Sequence, residues 1–347
     1  MGFTVNTREA TAGGRTGLVY ELTDGATCRA EVWPTWGFNC LRWQVRQPDG
    51  TWGDLLYAAP DWETNPVPTR SGHPILFPFP GRLRDGKLAA GGKDYHLPLL
   101  DSTKKHGMHG FTPRVPWRVA GTHPAADAAS IQGFFQLSRE LPDAVGQWPG
   151  DFEVGVLYRL SANELRVSVH IENLGEEPLP WGLGFHGYFT LPGVATTDDL
   201  VLQAYTGRLY EVDADNLPTG TTAPPPPTLD FRTSRPIGPT HLDHVFTVEQ
   251  DRFADPRQRV FAELTTAGPG GPGLTVSATV GFRELVLFTP QHRRAVAIEP
   301  YTCSADAATL AARGIDSGWR TLPPGGTWTG AVSYRFRPGS GLPSGRP

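Results

Sequence analysis

Leu165-Arg166-Val167-Ser168-Val169-His170-Ile171-Glu172 is the stretch that decides the fold, because apolar and polar side chains alternate along it without a break. In an extended chain, every second side chain lies on the same face. The stretch therefore predicts a β-strand with one buried and one solvated face. Residues 274–280 and 332–336 alternate in the same way.

Turn-forming residues separate such runs throughout the chain. Asp85-Gly86 and Gly91-Gly92 are short turn signals, and residues 268–273 consist only of glycine and proline. Dense apolar runs at residues 284–288 and 296–298 predict central strands. Short strands at this spacing predict an all-β chain folded as an antiparallel β-sandwich.

Only one segment has convincing helical features. Ser304 is a candidate cap for a helix over residues 306–313, and Gly314 is a candidate end. We therefore expect one or two short helices. No alternation of strands and helices indicates a Rossmann or TIM-barrel architecture.

The chain has 347 residues with 41 Gly and 34 Pro, a composition that suits many turns. We expect a single domain over residues 1–337 and a disordered tail over residues 338–347. Four prolines at residues 224–227 predict a loop over roughly residues 219–240, because proline cannot donate to a sheet ladder.

Charge and composition exclude several classes of function. The net charge of -4, without a basic stripe, excludes a nucleic-acid-binding protein that tracks phosphates. The chain contains no run of 18 apolar residues, so we expect no membrane span. The N-terminus lacks the features of a secretory signal. Cys28, Cys40 and Cys303 have no framework spacing, so we expect a reduced, cytoplasmic location.

His186 is the first candidate for chemistry. It lies in Trp181-Gly182-Leu183-Gly184-Phe185-His186-Gly187-Tyr188-Phe189, where bulky neighbours favour burial and glycines permit close backbone approach. One interpretation is an acid presented from a strand into a pocket, with a pKa near neutrality. The other is a core histidine bonded to a backbone carbonyl.

Glu299 is the second candidate, in Ala295-Val296-Ala297-Ile298-Glu299-Pro300-Tyr301-Thr302. A glutamate directly after an apolar strand is either the buried partner of an arginine or a general base. Desolvation raises a carboxyl pKa toward working pH, which suits a base.

Three further polar residues are candidates for ligand contacts. His109, in His106-Gly107-Met108-His109, fits a pocket-lining hydrogen-bonding role better than a metal site, because no third ligand stands nearby. His106 is expected nearer solvent, and His73 at the surface or in a turn. Arg82 follows Gly81 and can reach a hydroxyl or a carboxylate. Asp243 suits a turn cap as well as a ligand contact.

Together these segments resemble the aldose 1-epimerase (galactose mutarotase) family, in the family's order. The matching pieces are residues 76–86, His109-Gly110-Phe111 with Pro116-Trp117, Phe185-His186 with Tyr188-Phe189, Leu242-Asp243 with Phe246, and Glu299-Pro300-Tyr301-Thr302. Thr289-Pro290 and the stretch at residues 322–326 also look like the family's C-terminal pattern. The resemblance covers roughly residues 15–337.

The resemblance implies a large twisted antiparallel β-sandwich with a sugar in a cleft, and an enzyme without metal or organic cofactor. By position, Glu299 would be the general base and His186 the general acid of anomer interconversion. His109 would assist near the anomeric centre, while Arg82 and Asp243 would hold sugar hydroxyls. The expected partner is a small-molecule sugar, and the expected state is a monomer or homodimer.

The chain departs from the family's pattern at three places. Gly81 stands where many members have asparagine, His106-Gly107-Met108 replaces the common Asn-Ala-apolar lead, and Gly187 replaces a proline. These departures affect the recognition of sugar hydroxyls. They therefore affect which sugar the protein would bind.

Three other functions remain open at the level of sequence. A hexose-6-phosphate 1-epimerase needs additional cations at the cleft rim, for which the candidates are Arg70, Arg84, Lys104, Lys105 and Arg114. A non-catalytic carbohydrate-binding sandwich needs aromatic platforms but no matched proton partners. A glycosidase needs two opposed carboxyls, of which only Glu299 has a suitable setting.

Overall fold

The computed structural model describes residues 2–249 and 258–340. Residues 341–347 of the predicted tail lie outside the described residues. The strands are β1 Thr4–Ala12, β2 Arg15–Thr23, β3 Cys28–Trp33, β4 Asn39–Arg46, β5 Trp52–Asp54, β6 Ile75–Leu76, β7 Arg82–Leu83, β8 Lys87–Ala90, β9 Lys93–His96, β10 Gly107–Met108, β11 Arg118–Pro124, β12 Ala128–Gln136, β13 Phe152–Ser161, β14 Glu164–Asn173, β15 Leu179–Trp181, β16 Gly184–Phe185, β17 Tyr188–Phe189, β18 Leu200–Ala204, β19 Thr206–Val212, β20 Pro218–Ala223, β21 Arg235–Pro236, β22 Asp243–Val248, β23 Gln258–Thr266, β24 Gly273–Thr279, β25 Glu284–Phe288, β26 Val296–Tyr301, β27 Arg320–Leu322 and β28 Thr327–Arg337.

The largest sheet has nine antiparallel strands in the order β11-β12-β13-β14-β28-β24-β23-β18-β21. Its central strand is β28, and β14, the strand predicted from alternation, lies next to it. Leu165, Val167, Val169 and Ile171 are buried on one face of β14, whereas His170 on the other face is partly exposed. The period of two in the sequence thus appears as one core face and one solvated face.

A second sheet of eight strands follows the order β20-β19-β22-β25-β26-β16-β6, with β17 also paired to β26. A third sheet is formed by the N-terminal strands in the order β1-β2-β3-β4-β5. Apolar side chains from all three sheets, such as Trp43, Tyr158 and Ile298, belong to one hydrophobic cluster. The prediction of an all-β antiparallel sandwich is therefore confirmed.

The described residues include two short α-helices, α1 Leu137–Glu140 and α2 Ala307–Ala312. Ser304 does not cap α2, which corrects the prediction. Its hydroxyl donates to the Ala305 carbonyl instead, and Asp306 holds the N-cap position with a left-handed backbone. Within the described ranges, neither helix has the length and apolar character needed to cross a bilayer.

The proline-rich segment differs in part from its prediction. Residues 219–223 belong to β20, and Arg235–Pro236 forms β21 at the edge of the nine-stranded sheet. The run Pro224–Pro227 itself lies in the connection between them, as its missing N–H groups require.

Candidate active site

A cavity of about 280 Å³ opens on the eight-stranded sheet, next to the short β7–β10 ladder. All five site residues predicted from the sequence line it, namely Arg82, His109, His186, Asp243 and Glu299. They come from β7, β22, β26 and the loops beside β10 and β16. The apolar part of the wall consists of Met108, Val212, Val245, Val286 and Phe288.

His186 and Glu299 face each other in this cavity. The Nε2 atom of His186 lies 3.4 Å from Oε1 of Glu299, and the two side chains are only 9% and 1% exposed. His186 is not on a strand, contrary to expectation, but in the two-residue connection between β16 and β17. Backbone hydrogen bonds hold this connection in place. The His186 N–H donates to the Pro74 carbonyl, and the Ile298 N–H donates to the Gly187 carbonyl. The geometry suits proton exchange between imidazole and carboxylate.

Tyr301 completes the surroundings of the carboxylate. Its hydroxyl donates a 2.6 Å hydrogen bond to Oε2 of Glu299. The ring of Tyr301 packs against Gly184, where an added Cβ would stand only 2.4 Å from Cδ1 of the ring. Glycine at position 184 is therefore required for Tyr301 to occupy this place.

Burial sets the charge preferences of the pair. It lowers the pKa of the His186 imidazole to about 3. It raises the pKa of the Glu299 carboxyl well above its ordinary value, against the opposing effect of the Tyr301 hydrogen bond, and the nearby charge of Asp243 raises it further. The expected pKa near neutrality for His186 is wrong because the surrounding segments exclude water from the ring. Between these two pKa values, the pair holds one proton.

His109 is held in an uncommon backbone conformation. Its φ is +61°, in the left-handed region, which non-glycine residues rarely adopt. Two reciprocal bonds fix it there, because His109 N–H donates to the Gly81 carbonyl and Gly81 N–H donates to His109 Nδ1. Burial lowers the pKa of His109. The charges of His186 and of nearby arginines lower it further. The ring is therefore a neutral imidazole whose other nitrogen is free to donate.

Arg82 and Asp243 supply the charged groups of the cleft. Within the described part of the chain, the Arg82 guanidinium makes no hydrogen bond or ion pair. The Asp243 carboxylate is exposed and accepts one bond, from the Asn216 side-chain amide at 3.2 Å. Both residues therefore keep unused hydrogen-bonding capacity toward a ligand.

Several residues of the site escaped sequence analysis. Tyr188 stacks on His186 with ring centroids 4.6 Å apart, and its hydroxyl lies 3.4 Å from His186 Nε2. Tyr301 and Asn216 were likewise assigned no role. The spacing of Glu299 and Tyr301 was a usable signal, because residues i and i+2 of a strand share a face. Asn216 carried no such signal.

Two histidines lie elsewhere than expected. His106, predicted near solvent, is 2% exposed, and its Nδ1 accepts from the Asp85 backbone N–H. His73, predicted at the surface or in a turn, is fully buried, and its ring nitrogens contact the hydroxyls of Tyr158 and Tyr334. Packing partners distant in sequence cause both differences.

The glycines that depart from the family's pattern are explained by their neighbours. Gly81 has φ +67°, and an added Cβ would lie 2.7 Å from the Cβ of Ala305. At Gly187, an added Cβ would meet the ring of Phe189 at 2.6 Å. In each case another side chain occupies the space that a larger residue would need.

Among residues 2–249 and 258–340, no three His, Cys, Asp or Glu side chains converge as metal ligands. The cleft instead presents a His–Glu pair, a neutral imidazole and hydroxyl-binding groups, which suit acid–base chemistry on a polar neutral ligand.

Comparison with known proteins shows the family to which this chain is related. The family model described as "Aldose 1-epimerase" matches residues 18–335. The uncharacterized protein YihR of Escherichia coli is 25% identical over 67% of this chain and 70% of its own length. The mouse galactose mutarotase is 27% identical over 63% of this chain, and the match spans 64% of the mouse protein.

Solved structures show the same fold. A galactose mutarotase-like protein from Clostridium acetobutylicum superposes with a TM-score of 0.83 at 20% identity, over 97% of this chain and 99% of that one. Galactose 1-epimerase from Lactobacillus acidophilus gives a TM-score of 0.75 at 20% identity, over 97% and 100%. A family model that matches most of the chain, together with this fold, identifies the chain as a member of the aldose 1-epimerase family.

Proposed function

We propose that this protein is an aldose 1-epimerase that interconverts the α and β anomers of a free aldose by acid–base opening and closing of the ring. The observation that carries the proposal is the 3.4 Å approach of His186 Nε2 to Glu299 Oε1 inside a cleft. A proton donor and a proton acceptor at this separation, shielded from water, are what hemiacetal opening requires.

The reaction follows from the roles of the two groups. Glu299 takes the proton of the C1 hydroxyl while His186 gives a proton to the ring oxygen, so the C1–O5 bond breaks and an aldehyde forms. Rotation about C1–C2 presents the other face of the carbonyl. The reverse proton transfers close the ring with the opposite configuration. Each well-placed acid or base contributes on the order of 10²–10⁴ in rate.

The proton inventory of the pair supports these roles. In the empty cleft, burial favours a neutral imidazole and a protonated carboxyl. A bound sugar donates its C1 hydroxyl to the carboxylate and accepts at its ring oxygen from the imidazolium, and both contacts favour the ionised tautomer. Tyr301, which donates to Glu299, acts in the same direction. Substrate binding therefore moves the shared proton from Glu299 to His186.

The remaining cleft residues hold the sugar. His109 donates from its free nitrogen toward the developing charge near C1 and the ring oxygen. Arg82 and Asp243, with unused hydrogen-bonding capacity, bind hydroxyls. The apolar wall that includes Val286 and Phe288 suits the CH face of a pyranose.

A hexose-6-phosphate substrate is disfavoured because three of the five candidate cations are engaged in ion pairs. Arg84 pairs with Asp213 and Asp306, Lys105 pairs with Asp215, and Arg70 pairs with Asp61. Arg114 lines a different cavity. Cations already engaged with carboxylates are poorly placed to bind a phosphate dianion. Comparison of rates on glucose and glucose 6-phosphate separates the two substrates.

The experiment is polarimetric mutarotation of freshly dissolved α-aldoses, with the spontaneous rate subtracted. We expect Glu299→Gln and His186→Ala each to lose at least about 100-fold in kcat. The matched control is the partly exposed pair His170 and Glu172 on the outer face of β14. His170 Nε2 lies 3.8 Å from Glu172 Oε2. His170→Ala and Glu172→Gln should keep full activity. Activity within a few-fold of wild type in both cleft variants would refute the mechanism.

A non-catalytic sugar-binding function makes a different prediction in the same experiment. The wild-type protein would then bind aldoses without accelerating mutarotation, and Glu299→Gln would bind equally well. Acceleration of mutarotation by the wild-type protein would rule out the non-catalytic sugar-binding function.

A further inference from the structure

The turn between β19 and β20 forms one wall of the cleft, through Val212, Asn216 and Pro218. Asp213 organises it. Its carboxylate accepts from the N–H groups of Asp215 and Leu217 at 2.9 and 3.1 Å, and its carbonyl accepts from Asn216 N–H at 3.0 Å. Asn216 has φ +58°, in the left-handed region. The turn therefore has a defined conformation with the Asn216 side chain at the cleft.

Arg84 ties this turn to another part of the cleft. Its Nη2 donates to Asp213 at 2.7 Å, and its Nε donates to Asp306 at 3.2 Å. Asp306 is 2% exposed, accepts from Arg84 backbone N–H at 3.0 Å, and donates its own N–H to the Arg82 carbonyl at 2.8 Å. One ionic network thus joins the backbone that presents Arg82 to the turn that presents Asn216.

Asn216 in turn contacts Asp243. The amide nitrogen donates to Asp243 Oδ2 at 3.2 Å, and both side chains line the cleft. Over the described residues, the second carboxylate oxygen of Asp243 and the amide oxygen of Asn216 have no hydrogen-bond partner. The pair therefore presents two acceptors and one remaining N–H donor at adjacent positions, a pattern that complements neighbouring sugar hydroxyls.

We propose that Asn216 is a specificity-determining residue that binds a hydroxyl of a neutral aldose next to the one held by Asp243, and that Arg84 is the positioning residue that holds its turn in place. This inference rests on the proposed function of the cleft. Arg84 acts through Asp213 and Asn216 and touches no reacting atom. Since both acidic partners of Arg84 are engaged in the network, its cation serves the structure of the wall rather than an anionic substrate.

The test uses two replacements at position 216 that respect its backbone. Asn216→Gly keeps the left-handed conformation and removes the amide. Asn216→Asp keeps the shape, removes the donor and places a second carboxylate next to that of Asp243. We expect both to raise KM by about tenfold and to leave kcat within about twofold, because a lost hydroxyl contact affects ground state and transition state alike. Arg159→Met, which breaks a surface ion pair with Asp127, is the control and should change neither constant.

Monodeoxy aldoses identify the hydroxyl. The penalty of Asn216→Gly should disappear for the one deoxy sugar that lacks the contacted hydroxyl and persist for the others. A penalty of equal size for every deoxy sugar would overturn the assignment of a contact.

Arg84 is tested by rescue and coupling. Arg84→Met should raise KM by about as much as Asn216→Gly, Arg84→Lys should restore part of the loss, and Arg84→Met with Asn216→Gly should be no worse than either alone. Additive effects, or losses in kcat that track a lower melting temperature, would contradict the positioning role.

Failure of the inference is distinguishable from failure of the proposed function. Wild-type catalysis with unchanged KM in the Asn216 variants overturns the inference alone. If the wild type does not catalyse mutarotation, saturation-transfer NMR measures how well the wild type and the Asn216 variants bind galactose and glucose. Absence of both catalysis and binding overturns both proposals.

Discussion

Tyr301 and Glu299 stand two residues apart on β26, and the tyrosine hydroxyl donates a 2.6 Å hydrogen bond to the carboxylate. Their common face follows from the period of two along a strand. A hydrogen bond to the charged form of a carboxyl stabilises that form. Tyr301 therefore keeps Glu299 closer to the basic state that ring opening needs.

Removal of this hydroxyl should lower the fraction of Glu299 that is in the ionised, basic form. In Tyr301→Phe, the pKa of Glu299 rises further above its ordinary value, and we expect kcat to fall by about tenfold. Mutarotation kinetics measure the change. The fall of kcat/KM at alkaline pH should also move to higher pH in the variant, and an unchanged alkaline limb would argue against the role of Tyr301.

Replacement of Gly81 tests the packing that distinguishes this cleft. Gly81→Asn introduces a Cβ 2.7 Å from the Cβ of Ala305, so the backbone that positions Arg82 and His109 must shift. We expect a stability loss of about 1–3 kcal/mol, as for other overpacked sites, and a higher KM. Urea unfolding and kinetics report the two effects.

Ala305→Gly is the matched rescue for this variant. In the Gly81→Asn background, it removes the clashing atom and should restore most of the lost stability. If the double variant is no more stable than Gly81→Asn alone, the close contact with Ala305 is not the cause.

Glu284 makes stability depend on pH. It is fully buried beside the cleft residue Tyr210, which donates to it at 3.0 Å, and burial raises its pKa from 4.5 to about 7. An acid whose pKa is raised by folding binds more protons in the folded than in the unfolded state over this interval. Stability is therefore lost as pH rises from about 4.5 to about 7, by about 1.4 kcal/mol per pH unit.

Glu284→Gln removes this dependence. We expect the variant to gain stability relative to wild type on going from pH 5 to pH 7.5, as measured by urea unfolding at both values. Glu172→Gln, on the exposed face of β14, is the control. If the difference in unfolding free energy between Glu284→Gln and wild type is the same at both pH values, the raised pKa of Glu284 is contradicted.

The fold was predictable where one face of a strand is buried. Alternation at β14 reports burial directly, and the motifs around His186 and Glu299 lie on segments that the sheet brings together. The convergence of Arg82, His109 and Asp243 on the same cleft was expected from the family resemblance alone, since their local sequence left other roles open.

Other features depend on contacts that local sequence does not contain. The depth of burial of His186 is set by segments such as Gly72–Pro74, and His73 is held by tyrosines from β13 and β28. Asp306 rather than Ser304 occupies the N-cap position of α2, and its carboxylate binds Arg84, a residue distant in sequence, instead of the N–H groups of the helix. The single domain, the cytoplasmic location, and a monomer or homodimer stay predictions.

The most direct test of the shared proton is the pH profile of kcat/KM for mutarotation, with the spontaneous rate subtracted at each pH. Because burial lowers the pKa of His186 to about 3 and raises that of Glu299, the pair keeps one proton across the interval between them. We predict a profile that is flat above the His186 pKa of about 3 and falls once on the high-pH side, where Glu299 loses the last proton of the pair at its raised pKa. A rising limb of kcat/KM centred near 4.5, the ordinary pKa of a glutamate carboxyl, would contradict the account.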